Sequence, residues 1–344
     1  MGGKISENMI MKMKFAATVN KDKEIYMSES NSKVKNVIIS SLTDYIAQIL
    51  ELKPIASDSK RMQQSLFYRG LADSTYDLTP SISRISNENW MGFSKLIYEK
   101  YLIESARSRY PDRFDKYDCP LELLAKIQHY HIPTRLLDVT SNALVALYFA
   151  CCNLADKMSP DRYKDGEVVV FSGYCLSRYN EYVSLIADTY NLTGNSRTSL
   201  DTYITRIRNM SYGIRLLDEN DESLEAGNLR YHLSSPLFIE PGFISQRQVN
   251  QSGKFIICPN VIHENDITES LKVIKKADEQ VVACIKVQKE AKKQILSELE
   301  RLGITYEFLF PDDIDSNCSR LAKSIDDRFD DQKEDQEETR IIKP

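Results

Sequence analysis

The chain has no C-x-x-C pair. Its seven cysteines, Cys119, Cys151, Cys152, Cys175, Cys258, Cys284 and Cys318, form an odd set scattered mostly through apolar runs, which favours buried thiols over a disulfide framework or a zinc site. Histidine is scarce as well. There are four in 344 residues, and only His129 and His131 are close in sequence, so no metal centre is expected. No apolar run approaches the roughly 18 residues that a membrane span needs. Met1 to Phe15 alternates Lys with Met and Ile without an apolar core or a small-residue cleavage site, so no export signal is read and a cytoplasmic protein is expected. An excess of positive charge is also missing. A net charge of -5 and a pI near 5.6 argue against non-specific coating of nucleic acid, while leaving room for a local basic pocket.

What is present is an ordinary globular composition, 42% hydrophobic and 28% charged, in a chain long enough for one large domain or two smaller ones. Residues 1–35 are rich in Lys, Ser and Asn and read as a loosely held arm. Ile38, Leu42, Ile46 and Ile49 recur at helical spacing and predict a helix over about 37–52. Pro54 and Ser57–Lys60 break the chain before a short apolar strand, Ser65–Tyr68. Phe93, Ile97 and Tyr101 mark a helix running to about Arg109, and Leu121–His129 marks another. Thr140 or Ser141 is expected to cap the helix that carries Ala146–Cys151. Glu167–Ser172, Lys254–Cys258 and Val281–Val287 are strand-like, so helices dominate the first half and strands the second, an α+β order rather than a doubly wound one. Residues 174–232, with weak periodicity at Ile204, Ile207 and Ile214, read as an insertion between two sheet strands, a lid or a substrate-reading element. Lys289–Leu302 is amphipathic and closed by Gly303, and residues 324–344 form an acidic tail expected to stay solvated.

The densest chemistry lies at Gln128-His129-Tyr130-His131-Ile132-Pro133-Thr134-Arg135-Leu136-Leu137-Asp138-Val139-Thr140, which leads directly into Ala143–Ala150. Polar groups gathered in one turn-bounded segment before a helix are a common way to present a site at a helix N-terminus. Upstream stands Phe67-Tyr68-Arg69-Gly70; downstream come Arg247, Gln251, Gly253 and Phe255, then Leu302-Gly303-Ile304 and Leu309-Phe310-Pro311. These four ordered motifs resemble the FRG domain family over roughly residues 64–323, with the domain expected to occupy 36–323. A weaker resemblance joins the chain to ADP-ribosyltransferases of the Arg-Ser-Glu type, in which Asp138-Val139-Thr140 takes the place of Ser-Thr-Ser. It implies a split mixed or antiparallel sheet with flanking helices and a helical insertion.

The same resemblance implies NAD as substrate, without a metal. Arg69 would then fork onto pyrophosphate or ribose, as a planar guanidinium can and an ammonium cannot. Gly70 would admit the nicotinamide amide, and Tyr68, Tyr130 or Tyr148 would stack on a ring. Asp138 and Thr140 would orient the ribose, and His129 would bind a hydroxyl or move a proton. Arg135 would contact a phosphate, hold Asp138 ionised, or simply pair with Asp138 to brace the turn. Gln251 and Arg247 are read either as substrate contacts or as partners of sheet-edge backbone; His131 is read as bland, since the family usually has Gly there. Where the transferases carry Glu-x-Glu or Gln-x-Glu, this chain has Gln246-Arg247-Gln248, and an amide is no base. The carboxylate then comes from Asp138, Glu104 or Glu240, or the site binds a nucleotide without turning it over. The readings that follow are three: a mono-ADP-ribosyltransferase of the toxin or anti-phage type, a non-catalytic nucleotide or nucleic-acid module, and, last, a nuclease using His129 and Asp138. The first takes single-stranded RNA ahead of protein as acceptor, through the tyrosines and Arg206, Arg208 and Arg215, and needs a neutralising antitoxin-like partner gripping the arm or the tail.

Overall fold

A computed structural model describes residues 34–56, 63–85, 95–117, 119–152, 164–193, 198–210, 229–230, 233–314 and 316–318. Arm residues 1–33, Phe93, Ile214, Arg215 and the acidic tail lie outside them. The strands are β1 Lys35–Ile39, β2 Ser65–Leu71, β3 Leu136–Thr140, β4 Gly166–Gly173, β5 Cys175–Ser177, β6 Thr198–Ser199, β7 Leu237–Glu240, β8 Gly253–Ile257, β9 Asn260–His263, β10 Asp266–Leu271 and β11 Val281–Val287. The helices are α1 Leu42–Glu51, α2 Lys95–Arg109, α3 Pro111–Phe114, α4 Pro120–His129, α5 Ala143–Cys151, α6 Glu181–Ala187, α7 Thr189–Leu192, α8 Leu200–Arg208, α9 Gln246–Asn250, α10 Lys292–Arg301 and α11 Tyr306–Leu309. The fold class is α+β.

Eight strands form one mixed sheet in the order β1-β11-β4-β2-β3-β8-β7-β5; β6, β10 and β9 form a smaller antiparallel one. In the large sheet β1 runs parallel to β11 and β5 to β7, and the remaining pairs are antiparallel. Pairing is uneven. β2 matches β4 over its whole length, and β3 matches β8 residue for residue, whereas β2 and β3 meet at the single pair Tyr68 and Thr140. The sheet is therefore split along this seam, and each half packs its own core. β1, β2, β4 and β11 bury Ile39, Tyr68, Val168, Val170, Ala283 and Ile285 against α1, α5 and α10. β3, β8 and β7 bury Leu136, Phe255, Ile257 and Ile239 against α2, α4, α6 and α8.

Three local expectations change. The first predicted helix is a strand and a helix: Ser41 caps α1 by accepting from the Asp44 amide, and residues 35–39 alternate in burial as an edge strand does. Asn142, not Thr140 or Ser141, caps α5, its side-chain oxygen accepting from the Leu144 and Val145 amides. The described part of the insertion is core rather than lid: Val183, Leu185, Ile186, Tyr203 and Ile207 are buried against the second half.

Candidate functional site

A cavity of about 420 Å³ opens at the seam. Tyr68, Arg69 and Gly70 supply one wall from β2, and Leu136 to Thr140 supply the facing wall from β3. The turn after α4 brings Gln128, His129, His131 and Ile132; α9 and β8 bring Arg247, Gln248, Gln251, Gly253, Lys254 and Phe255; Ser81 and Arg84 close one side, and Phe149 of α5 contributes a ring. Thus all four residues of the third motif reach the cavity.

Arg69 and Asp138 meet across the seam. Arg69 Nη1 donates to the Asp138 backbone carbonyl at 2.5 Å, which leaves the Asp138 side chain exposed to the cavity. Asp138 Oδ1 accepts from Gln128 Nε2 at 2.8 Å, and the Gln128 carbonyl in turn accepts from the Thr134 hydroxyl, so the amide can present only its NH2 to the carboxylate. Arg69 Nε is buried with no hydrogen-bond partner. An unsatisfied donor of this kind is costly, and here it sits in a wall of the cavity. Burial lowers the Arg69 pKa and Asp138 partly restores it, yet the guanidinium stays a cation.

The lining is strongly basic. Arg69, Arg84, Arg247 and Lys254 face a single carboxylate, Asp138, among the described residues. Arg84 is held by two bonds to the Thr79 carbonyl, at 3.0 and 2.7 Å. The Arg247 guanidinium lies 4.6 Å from the centre of the Phe310 ring, which stacks on Tyr306 and meets Phe149 edge-on. The last motif thereby gains a physical role: its Phe310 orients Arg247, and its Leu309 carbonyl accepts from Gln251 Nε2 at 3.0 Å. His129 is half-buried; burial, then Lys126 and Arg247, lower its pKa, with Asp312 opposing. The imidazole is therefore held neutral at physiological pH.

Of the residues singled out in the sequence, Tyr68, Arg69, Gly70, His129, Asp138, Thr140 and Gln251 line one cavity; others do not. Arg135 is 1% exposed and lies away from the cavity, its Nε and Nη2 on the Glu99 carboxylate and its Nη1 on Asn260 Oδ1 at 2.8 Å. It neither lines the cavity nor pairs with Asp138. Tyr148 is buried in the core while its neighbour Phe149 reaches the cavity. Glu104 stands on the exposed side of α2 with Lys100 at 3.8 Å, and Glu240 is paired with Lys254 outside the lining. Tyr130 carries no lining atom and packs edge-on against Phe114 and His129. Thr140 lines the cavity with its hydroxyl already committed, donating to the Gln251 carbonyl at 2.7 Å and accepting from the Asn142 amide at 2.9 Å.

Gly70 is required for a different reason from the one expected. A Cβ there would stand 2.0 Å from the Ala146 carbonyl oxygen and 2.7 Å from the Ala150 nitrogen, so the glycine lets β2 lie directly on α5. Residues that sequence reasoning did not bring to the site are Ser81, Arg84, Lys254 and His131. Ser81, Arg84 and Lys254 stand in no chemical pattern and the fold alone gathers them, whereas His131 lies within the second motif, where it was read as bland.

Among the described residues no group of three His, Cys, Asp or Glu side chains gathers as a metal site requires, and no helix is long and apolar enough to cross a membrane. No curated protein and no solved structure matches the chain. The family model for the FRG domain matches residues 64–159, a span that begins at β2 and runs past α5 and so includes both walls of the seam. The chain carries an FRG domain.

Proposed function

We propose that the chain is a mono-ADP-ribosyltransferase that takes ADP-ribose from NAD and transfers it to a macromolecule. The observation that carries this reading is the buried, unpartnered Arg69 Nε in a cavity wall where Arg69, Arg84 and Arg247 face one carboxylate, Lys254 being paired with Glu240. Such an arrangement needs oxygen acceptors from an anion, and a pyrophosphate provides them. NAD supplies a ribose whose bond to nicotinamide breaks with positive charge developing on the sugar. Toward it, Arg69 and Arg84 bind the diphosphate, Asp138, held by Gln128, takes a ribose hydroxyl or faces the positive sugar, and neutral His129 accepts a proton from the incoming group. Phe149 offers aromatic surface for a ring.

The acceptor is single-stranded RNA in preference to protein. Arg206 no longer supports this, since its Nη1 is bonded to the Leu192 carbonyl at 2.6 Å. Arg247 does: it leaves positive charge over once a dinucleotide is bound, and phosphates are the acceptor groups that use it. Activity of this kind harms the cell that makes it, so a toxin or anti-phage role with a neutralising partner belongs to the same reading. One observation favours a second reading, a nucleotide-binding module without turnover: neither Glu104 nor Glu240 reaches the cavity, and Gln248 occupies the position where the transferases hold a carboxylate.

The deciding experiment incubates the protein with NAD labelled in the adenylate part and with separate RNA, DNA and protein pools. Label on RNA with the wild type, lost in Arg69→Ala, supports transfer to RNA, and label on protein moves the acceptor. No label in any pool, with NAD bound in calorimetry and no nicotinamide released, establishes the second reading.

A further inference from the structure

Two helices of this chain end in the same way with different residues. At the end of α10 the Gly303 amide bonds to the Glu300 carbonyl and the Ile304 amide to the Leu299 carbonyl, both at 3.0 Å, and Gly303 has φ +84°. At the end of α4 the His131 amide bonds to the Gln128 carbonyl at 2.8 Å and the Ile132 amide to the Ile127 carbonyl at 3.3 Å, and His131 has φ 63°. This pair of bonds demands a left-handed residue, the position where glycine is favoured because it has no Cβ to clash. Gly303 follows that preference in open space. His131 departs from it.

The other non-glycine residues with positive φ among those described, Ser252 at 47° and Glu264 at 52°, do not line the cavity; His131 does. No hydrogen bond or ion pair holds its imidazole among the described residues, so the side chain returns nothing to the fold for the backbone strain it brings. Strain kept at a cavity wall by a side chain with no structural partner is explained by what enters the cavity. We infer that His131 is a ligand-contacting, specificity-determining residue, whose imidazole hydrogen-bonds an oxygen of the anionic ligand bound between Arg69 and Arg247. The inference rests on reading the cavity as an anion site; it does not require that the anion be NAD.

The test compares wild type, His131→Gly and His131→Asn by thermal unfolding and by calorimetric titration with NAD, ADP and pyrophosphate. Glycine should raise the unfolding midpoint by about 2 °C by relieving the left-handed backbone, and should weaken the best-bound probe by about fivefold, the worth of one hydrogen bond. Asparagine tolerates the same backbone but has a shorter reach, so its midpoint should stay near wild type while its affinity falls similarly. Opposite signs for stability and binding in the glycine variant support the inference. Unchanged affinity in both variants overturns it and leaves the NAD reading standing. If ADP or pyrophosphate binds and is weakened while NAD does not bind, the inference holds and NAD is the wrong ligand; if the wild type binds none of the three, both fall.

Discussion

The two halves of the sheet solve the same packing problem by different means. On the β2 side the packing is very close: β2 and the start of β4 lie against α5 with glycines at the contact, where a Cβ on Gly70 or Gly166 would run into helix backbone. On the β3 side an ion pair lies inside the core. The Arg135–Glu99 pair is buried there, with Asn260 completing the Arg135 bonds and donating to the Thr268 carbonyl. Close packing fixes the wall that carries Arg69, and a buried ion pair fixes the strand that carries Asp138. Because the halves share only the Tyr68–Thr140 pair, a cavity can open between them without unpairing either one.

The contrast can be broken from each side. Arg135→Ala has the largest expected effect, a loss of about 3–5 kcal/mol in urea unfolding, because it strands the Glu99 carboxylate in the core. Replacing Arg135 and Glu99 together by apolar residues of similar size should recover most of that loss; if the double variant is no better than the single, the pair is not the reason for the cost. Gly70→Ala comes next, at about 1–3 kcal/mol or more, since β2 must move off α5. Gly253→Ala is the control, its closest neighbour being the flexible Gln248 Cγ at 3.2 Å, and it should cost clearly less. Similar losses for the two glycine variants would remove close packing as the distinguishing property of the first half.

The smallest effect concerns the cavity between them. Burial holds the His129 pKa below its ordinary value of 6.5, so the native state favours neutral imidazole; stability from this source is present above that value and is lost as pH falls below it. His129→Gln should therefore flatten the decline of the unfolding midpoint between pH 6.5 and 5, by under about 1 kcal/mol. An equally steep decline in the variant would mean that another group carries the acid sensitivity.

Much of this was legible in the residues. Runs such as Val168–Phe171 and Val281–Val287 are apolar, β-branched and short, and they form β4 and β11. Arg69, Asp138 and His129 could be named because their motifs are compact and surround one helix entry. The errors have a common source, which is that sequence proximity does not say which way a side chain points. Arg135 stands at the bend just before β3 and Asp138 within the strand, and three residues of separation leave one side chain in the core and the other at the cavity. Alternation along β2 separates Arg69, at the cavity, from Gly70, whose missing Cβ faces α5. In the first predicted helix, Ile38 and Leu42 have helical spacing by coincidence, while the buried Ile39 beside the exposed Ile38 shows the two-residue period of a strand.

The residues alone determined the local periods, the glycines at tight places and the two polar motifs, since each depends on neighbours a few positions away. Tertiary structure decided everything that depends on direction and distance along the chain. It drew Arg84, Arg247 and Lys254 together around Asp138, sent Arg135 into the core, left Arg69 Nε without an acceptor and turned His131 toward the cavity. These groups come from segments up to 185 residues apart, from position 69 to position 254, and only the pairing of β2, β3 and β8 in one split sheet makes them neighbours.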